Sequence, residues 1–198
     1  MSISSRSRVW TAFGPRRLRA DDCGSQVVEL ALSLPLLVLF VVGIFDFSGA
    51  LALKQKLTNA AREGARVAAA DPANDLSNTS KLPTPVSVSD AYQVVDNYLL
   101  SEKINDCGLQ GTTPIPSGLT WTSPTLTGCP NSSGLVLTIN RGCLTPESGS
   151  SPTVYTVNTC VTITYPYSWR FNGVSGLFRG TFTGPTGITT TAVAFNEN

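Results

Sequence analysis

The stretch that decides the fold is residues 24–70, GSQVVELALSLPLLVLFVVGIFDFSGALALKQKLTNAAREGARVAAA. From Leu30 to Phe45 it is uncharged and almost wholly apolar, which is slightly short of the ~20 residues that a membrane-spanning helix needs. Continuing the helix through Asp46 to Leu53 supplies the missing length and places Asp46 near the far interface. The stretch therefore predicts a single membrane-spanning helix whose helical pattern continues outside the membrane as far as Ala70.

The charges that flank this helix predict its orientation. Five arginines precede the apolar run, at Arg6, Arg8, Arg16, Arg17 and Arg19. Because positively charged flanks stay on the cytoplasmic side, we expect a cytoplasmic N-terminus, with residues 54–198 on the opposite side of the cytoplasmic membrane.

The cysteines indicate the same compartment. Cys23 precedes the apolar run, and four cysteines follow it: Cys107, Cys129, Cys143 and Cys160. An even number beyond a membrane segment predicts two disulfides in an oxidising space, with three pairings open. Zinc binding is the alternative, but the sequence offers neither a C-x-x-C pair nor a histidine to support it.

Composition argues against two classes of function. The net charge of +1 is not that of a nucleic-acid-binding protein. The chain has no histidine, so it lacks the commonest general base near neutral pH and the commonest transition-metal ligand. We therefore predict no catalytic residue, no metal and no cofactor, and a membrane-tethered enzyme is the least favoured interpretation.

A cleaved secretory signal is the main alternative to a retained anchor. The basic N-terminus, the apolar core and the Ala50-x-Ala52 pattern resemble a signal-peptidase substrate, which would release a secreted adhesion or binding domain after Ala52. Against this, the apolar core is longer than a usual signal core, and the helical pattern continues through the supposed cleavage site. We favour a retained anchor.

Within the helix, Pro35 removes one backbone donor and is expected to loosen the helix locally. Glu29 lies at the cytoplasmic edge of the apolar run, where an ionised carboxylate is costly unless it is solvated or paired. Lipid headgroups could solvate it, or a positive group of a neighbouring subunit, such as a free α-amino terminus, could pair with it. The residues alone leave both interpretations open.

Small side chains follow one face of the helix beyond Lys54. They include Ala61, Gly64 and Ala65, at the three- and four-residue spacing of a helix face. Small residues permit the close approach of another element. That element could belong to the protein's own domain, or to another subunit of a filament or membrane assembly.

Several motifs in this order resemble the TadE-like family of pilus-assembly proteins. They are Gly24-Ser25-Gln26-Val27-Val28-Glu29, Leu34-Pro35-Leu36-Leu37, Asp46-Phe47-Ser48 and Ala60-Ala61-Arg62-Glu63-Gly64-Ala65-Arg66. The resemblance implies a pseudopilin-like or minor-pilin-like component of a Tad (tight adherence) pilus. Its expected partners are other Tad pilins or pseudopilins, inner-membrane assembly proteins and a prepilin peptidase.

The same resemblance assigns roles to three residues. The peptidase would cut between Gly24 and Ser25 and make Glu29 the fifth residue of the mature chain. In type IV pilin relatives this glutamate is thought to pair with the N-terminal amine of the neighbouring subunit. Independently of the resemblance, we predict packing roles for Pro35 and Asp46 in the helix.

The C-terminal part is predicted to be a small domain of mixed class. A helix is expected to begin at Ser89-Asp90 with Ser89 as its cap, and its apolar face to comprise Ala91, Val94, Val95, Tyr98 and Leu99. Alternation with period two then predicts four strands, around 119–121, 135–140, 154–165 and 188–195. The loop 168–185 carries aromatic side chains and two arginines among glycines, and its aromatics either contact a partner or pack on the domain.

The predicted organisation is α+β and pilin-like: a long N-terminal transmembrane helix extended outside the membrane, followed by a small antiparallel sheet with one further helix. The parts are a cytoplasmic basic leader (1–24), the TadE-like helix (25–70), a linker (71–88) and an extracytoplasmic domain (89–198).

Overall fold

The computed structural model describes residues 22–72, 74, 76, 84–124, 126, 128–129, 134–147, 149, 154–170 and 184–196. Most of the predicted basic leader and residues 171–183 of the aromatic-rich loop lie outside these ranges. The chain divides into two units, Met1–Phe40 and Val41–Asn198.

The first helix, α1, runs from Asp22 to Ala70. It begins three residues before the predicted start at Ser25 and ends at the predicted residue, because the next two residues are Asp71 and Pro72 and a residue before proline is disfavoured in the α region. Pro35 is accommodated inside the helix, where it removes one backbone donor.

The second helix, α2, runs from Val86 to Ser101, so its predicted start at Ser89 is wrong by three residues. Its first turn is held by the Pro85 carbonyl, which accepts from the backbone N–H groups of Val88 and Ser89 at 3.0 Å each. The Ser89 hydroxyl donates to the Val86 carbonyl and caps nothing. The start shifts because Val88 is fully buried, so packing rather than a capping side chain fixes the first turn.

The buried face of α2 also differs from the predicted one. Val94 and Tyr98 are only partly buried, whereas Tyr92 and Asp96 are buried instead. The sequence favoured the face with Val94 and Tyr98 over the overlapping face with Tyr92 and Asp96, because an aspartate is rarely buried in a core.

Five antiparallel strands form one sheet in the order β1-β2-β3-β4-β5. Their bounds are Ile115–Ser117, Thr120–Thr122, Val136–Pro146, Tyr155–Pro166 and Gly187–Phe195. The four predicted strands are present, and β1 is the one that was missed because it has three residues and a central proline. The predicted α+β class is confirmed.

The core lies between the two helices and one face of the sheet. Trp121, Leu137, Ile139, Val161 and Ile163 project from the strands into this layer. The opposite face carries threonine pairs, such as Thr162 and Thr191, whose hydroxyls are 2.9 Å apart. One face of the sheet is therefore apolar and covered, and the other is polar, as expected for an antiparallel sheet.

Two disulfides close the domain. Cys107 pairs with Cys129 across 22 residues, and Cys143 pairs with Cys160 across 17 residues. The second bridge joins β3 to β4 beside the irregularity that interrupts their register between Asn140 and Cys143. The structure thus selects one of the three pairings left open by the sequence, and the prediction of two disulfides is confirmed.

Candidate membrane-anchoring and assembly site

The N-terminal part of α1 is an exposed apolar segment. Between Gly24 and Phe40 nearly every side chain is exposed, including Leu32, Leu37 and Phe40. The helix is long and apolar enough to cross a membrane. Because exposing this much apolar surface to water is unfavourable, the segment needs lipid or other apolar helices around it. It is compatible with a single-pass membrane anchor.

The predicted processing and assembly residues all lie on this exposed segment. Gly24, Ser25, Glu29 and Pro35 are exposed, and Glu29 forms no ion pair with another described residue. A Cβ atom added at Gly24 would meet nothing within 4 Å. Packing in the described structure therefore does not require glycine at position 24.

Asp46, by contrast, lies against its own domain. It is only 5% exposed, and the Tyr167 hydroxyl lies 3.1 Å from both its backbone carbonyl and its Oδ1. Tyr167 follows the last residue of β4 and donates its backbone N–H to Thr186 just before β5. One turn along α1, a Cβ atom at Gly49 would be 3.4 Å from the same hydroxyl. The Asp46–Tyr167 contact therefore links α1 to one end of the sheet.

The environment of Tyr167 is polar and partly buried. Burial raises the pKa of its hydroxyl, the hydrogen bond to Asp46 and the Asp46 charge raise it further, and the positive charge of Arg170 acts in the opposite direction. At neutral pH the hydroxyl is therefore a donor. Sequence reasoning did not single out Tyr167, because a tyrosine after a strand carries no pattern that predicts its partner.

The stripe of small residues packs within the domain. Ala61, Gly64 and Ala65 are all buried. At Gly64 an added Cβ would lie 2.6 Å from Cγ2 of Val95 on α2 and 3.7 Å from Cγ1 of Val161 on β4. The stripe thus brings α1 close to both α2 and the sheet. The sequence left open whether these residues pack on the protein's own domain or on another subunit. In the structure they pack on the protein's own domain.

The C-terminal end of α1 is fixed by Arg141, a residue that the sequence did not indicate. Arg141 is buried, and its Nη2 donates to the carbonyl of Asp71 at 3.0 Å. Its backbone N–H donates to Leu119 at 2.9 Å. A cation at a helix C-terminus is favourable because the last carbonyls carry partial negative charge. Arg141 therefore joins the end of α1 to β3.

A polar cavity of about 360 Å³ lies beside α2. Its lining is rich in hydroxyl and amide groups: Ser89, Gln93, Asn97, Gln110, Thr112 and Thr113. Asp96 also lines it, but Asp96 is 4% exposed and its Oδ1 is shut off from solvent without a hydrogen-bond partner. Burial, followed by the charge of Asp106 and a hydrogen bond to it, raises the pKa of Asp96. The carboxyl group is thus almost fully buried in the wall of this cavity.

Metal binding finds no support in the described part of the chain, where no group of three or more His, Cys, Asp or Glu side chains is placed to hold an ion. Two features of the described residues stand out: the exposed segment of α1 and the Asp46–Tyr167 contact farther along the same helix.

Comparison with curated proteins and with solved structures found no match. The family model described as TadE-like protein matches residues 24–66, which include Gly24, Glu29, Asp46 and Gly64. Residues 24–66 are therefore a TadE-like segment, which confirms the resemblance inferred from the sequence.

Proposed function

We propose that this protein is a structural component of a Tad pilus, a pseudopilin or minor pilin, held in the cytoplasmic membrane by α1. The observation that carries the proposal is the position of the TadE-like segment: its first half is an exposed apolar helix, and its second half packs into a disulfide-bonded domain. That arrangement supplies an anchor and a folded head within one chain.

The orientation we propose places the N-terminus in the cytoplasm and the domain outside. Five arginines before the apolar run support it through the positive-inside bias. The two disulfides in residues 107–160 support it independently, because such bonds persist in oxidising compartments.

Processing between Gly24 and Ser25 is the next part of the proposal. Since a Cβ atom at position 24 would meet nothing within 4 Å among the described residues, we attribute a requirement for glycine there to an enzyme that binds this segment. Cleavage would leave a free amine on Ser25 and make Glu29 the fifth residue of the mature chain. An ionised carboxylate in or beside hydrocarbon is costly unless it is paired, so the Glu29 of one subunit would pair with the terminal amine of the next.

The surface for contacts with other subunits is the exposed part of α1. Ala61, Gly64 and Ala65 are already covered by the protein's own α2 and sheet, so they are not free to pack against a second subunit. The side chains of residues 24–40 are exposed and remain available to lipid, to other Tad pilins or pseudopilins and to inner-membrane assembly proteins.

Release of a secreted domain after Ala52 is the alternative. Asp46 and Ala50 are both buried against the unit that begins at Val41. A cut after Ala52 would remove both residues from the domain and leave the Tyr167 hydroxyl without Asp46. The contacts of Asp46 therefore favour the retained anchor.

The test is a deletion of the gene in the source bacterium, complemented by the wild type, Glu29→Ala or Glu63→Ala. Glu63 is an exposed glutamate farther along α1 and serves as the matched control. We expect deletion to reduce surface pili, and Glu29→Ala to be inserted in the membrane but absent from assembled complexes recovered by cross-linking. Unchanged piliation on deletion, or equal behaviour of the two variants, would contradict the proposal.

A further inference from the structure

The domain begins to cover one face of α1 near Asp46. On that face Val42 and Gly43 are partly buried, and Asp46 and Ala50 are 5% and 7% exposed, whereas Phe45 and Phe47, which point away from it, are 74% and 58% exposed. Leu53 packs against the core one turn later. Lipid tails cannot occupy a helix face that a polar domain already covers, and backbone polar groups of loops are not tolerated in hydrocarbon. The hydrocarbon of a membrane around α1 must therefore end near Asp46.

At the same level the domain presents three side chains that we call the aromatic corner: Tyr167, Trp169 and Arg170. The rings of Tyr167 and Trp169 meet edge to face, with centroids 5.0 Å apart and planes at 78°. The Trp169 indole N–H donates to the carbonyl of Pro185 at 2.7 Å, which fixes the ring. Arg170 is exposed.

A cavity of about 430 Å³ joins this corner to α1. It is lined by Val42 and Phe45 on one side and by Tyr167 and Arg170 on the other, with Asp46 and Gly49 between them. One wall is therefore apolar, and the other carries a guanidinium group. Arginine binds phosphate in a bidentate manner, and tryptophan and tyrosine favour the boundary between headgroups and hydrocarbon.

We propose that the aromatic corner lies in the headgroup layer of the membrane, with Arg170 on a lipid phosphate and the hydrocarbon boundary at Asp46. The ligand class is thus a phospholipid headgroup, and the inference rests on the membrane anchor of the proposed function. The exposed side chains before Asp46 lie in lipid, and the buried ones after it belong to the domain.

This placement changes the membrane segment expected from sequence alone. A span of ~20 residues that ends at Phe45 begins near Gln26, so residues 46–53 no longer supply its missing length. Glu29 then falls inside the spanning segment and not at its edge. A carboxylate at that depth has a stronger need for a partner, because it is farther from water.

The test uses the full-length protein reconstituted in vesicles of phosphatidylcholine and phosphatidylglycerol. Phospholipids brominated near the carbonyl end or near the methyl end of the acyl chain quench tryptophan at two depths. Comparing the wild type with Trp169→Phe isolates the Trp169 emission from that of Trp10 and Trp121. We expect Trp169 to be quenched more by the lipids brominated near the carbonyl end.

Two variants test the phosphate contact. Arg170→Gln should reduce Trp169 quenching, and Arg66→Gln, which changes an exposed arginine farther along α1, should leave it unchanged. Equal effects of the two variants would overturn the role of Arg170.

The failures of the two proposals are distinguishable. Protein that resists carbonate extraction but shows no quenching of Trp169, or deeper quenching than expected, would overturn the placement of the corner while leaving the anchor intact. Protein that carbonate extracts from the vesicles would refute the anchor and the corner with it.

Discussion

Replacing Gly64 by alanine tests the close contact between α1 and α2. The added Cβ would lie 2.6 Å from Cγ2 of Val95, a distance that real Cβ atoms essentially never show. Val95 is fully buried and its branched side chain is stiff at χ1, so it cannot move away cheaply. The expected effect is therefore a loss of stability.

The magnitude follows from two opposing terms. Overpacking of a core contact costs about 1–3 kcal/mol. Alanine in place of glycine inside a helix contributes about 1 kcal/mol in the other direction. The net expectation for Gly64→Ala is a loss of up to about 2 kcal/mol in the free energy of unfolding.

Gly49→Ala is the matched control in the same helix. Its Cβ would lie 3.4 Å from the Tyr167 hydroxyl, which is an ordinary contact. We expect it to keep the helix-propensity gain without the clash, and so to be at least as stable as the wild type. A second variant, Gly64→Ala with Val95→Ala, should lose less than the sum of its two single changes, because the clashing methyl group is gone.

The assay is urea unfolding of the full-length, oxidised protein in detergent micelles. Trp121 is 1% exposed in the core, so its fluorescence reports unfolding of the domain. Equal stability of Gly64→Ala and Gly49→Ala, or simple additivity in the double variant, would refute the close approach of the two helices at Gly64.

Three further predictions use the same unfolding assay. Tyr167→Phe removes the donor to buried Asp46 and should cost about 1–3 kcal/mol; an unchanged free energy of unfolding would contradict the contact. Asp96→Asn tests the titration of a buried carboxyl group. Because the pKa of Asp96 is raised, the folded state holds the proton of this carboxyl more tightly than the unfolded state does. The contribution of Asp96 to stability therefore falls as the pH rises from 3.8 through the raised pKa. The variant should therefore be more stable than the wild type at neutral pH and lose this advantage below pH 3.8; an advantage independent of pH would point to packing instead. Replacing Cys143 and Cys160 by alanine opens a loop of 17 residues and should lower the free energy of unfolding by about 3 kcal/mol. A loss no larger than that expected for one internal hydrogen bond would contradict this prediction and show that the bridge adds little to two strands that are already paired.

Patterns of hydrophobic residues predicted most of the fold. The end of α1 at Ala70 and the long strand around residues 154–165 followed from local rules, since a proline stops a helix and alternation marks a strand. The start of α2 and the short strand β1 depend on tertiary packing and on pairing with a neighbour. Neither Val86 nor Pro116 carries a local pattern that predicts its place.

The residues of the candidate site likewise fall into those that a local pattern predicts and those that depend on tertiary contacts. Gly24, Glu29 and Asp46 belong to an ordered set of motifs, so the sequence alone indicated them. Tyr167 contacts Asp46 of α1 from 121 residues away, and Arg141 contacts Asp71, directly after α1, from 70 residues away. Contacts at such separation depend on how the strands fold back onto the helix, and a single sequence does not encode them in any local pattern.

The most direct test of the central claim is the N-terminal sequence of the mature protein isolated from the membrane of its source bacterium. A retained, processed pilus component predicts a chain that starts at Ser25, directly after Gly24. A chain that starts at Leu53 would contradict the anchor, and a chain that keeps Met1 would contradict the processing on which the proposed role of Glu29 depends.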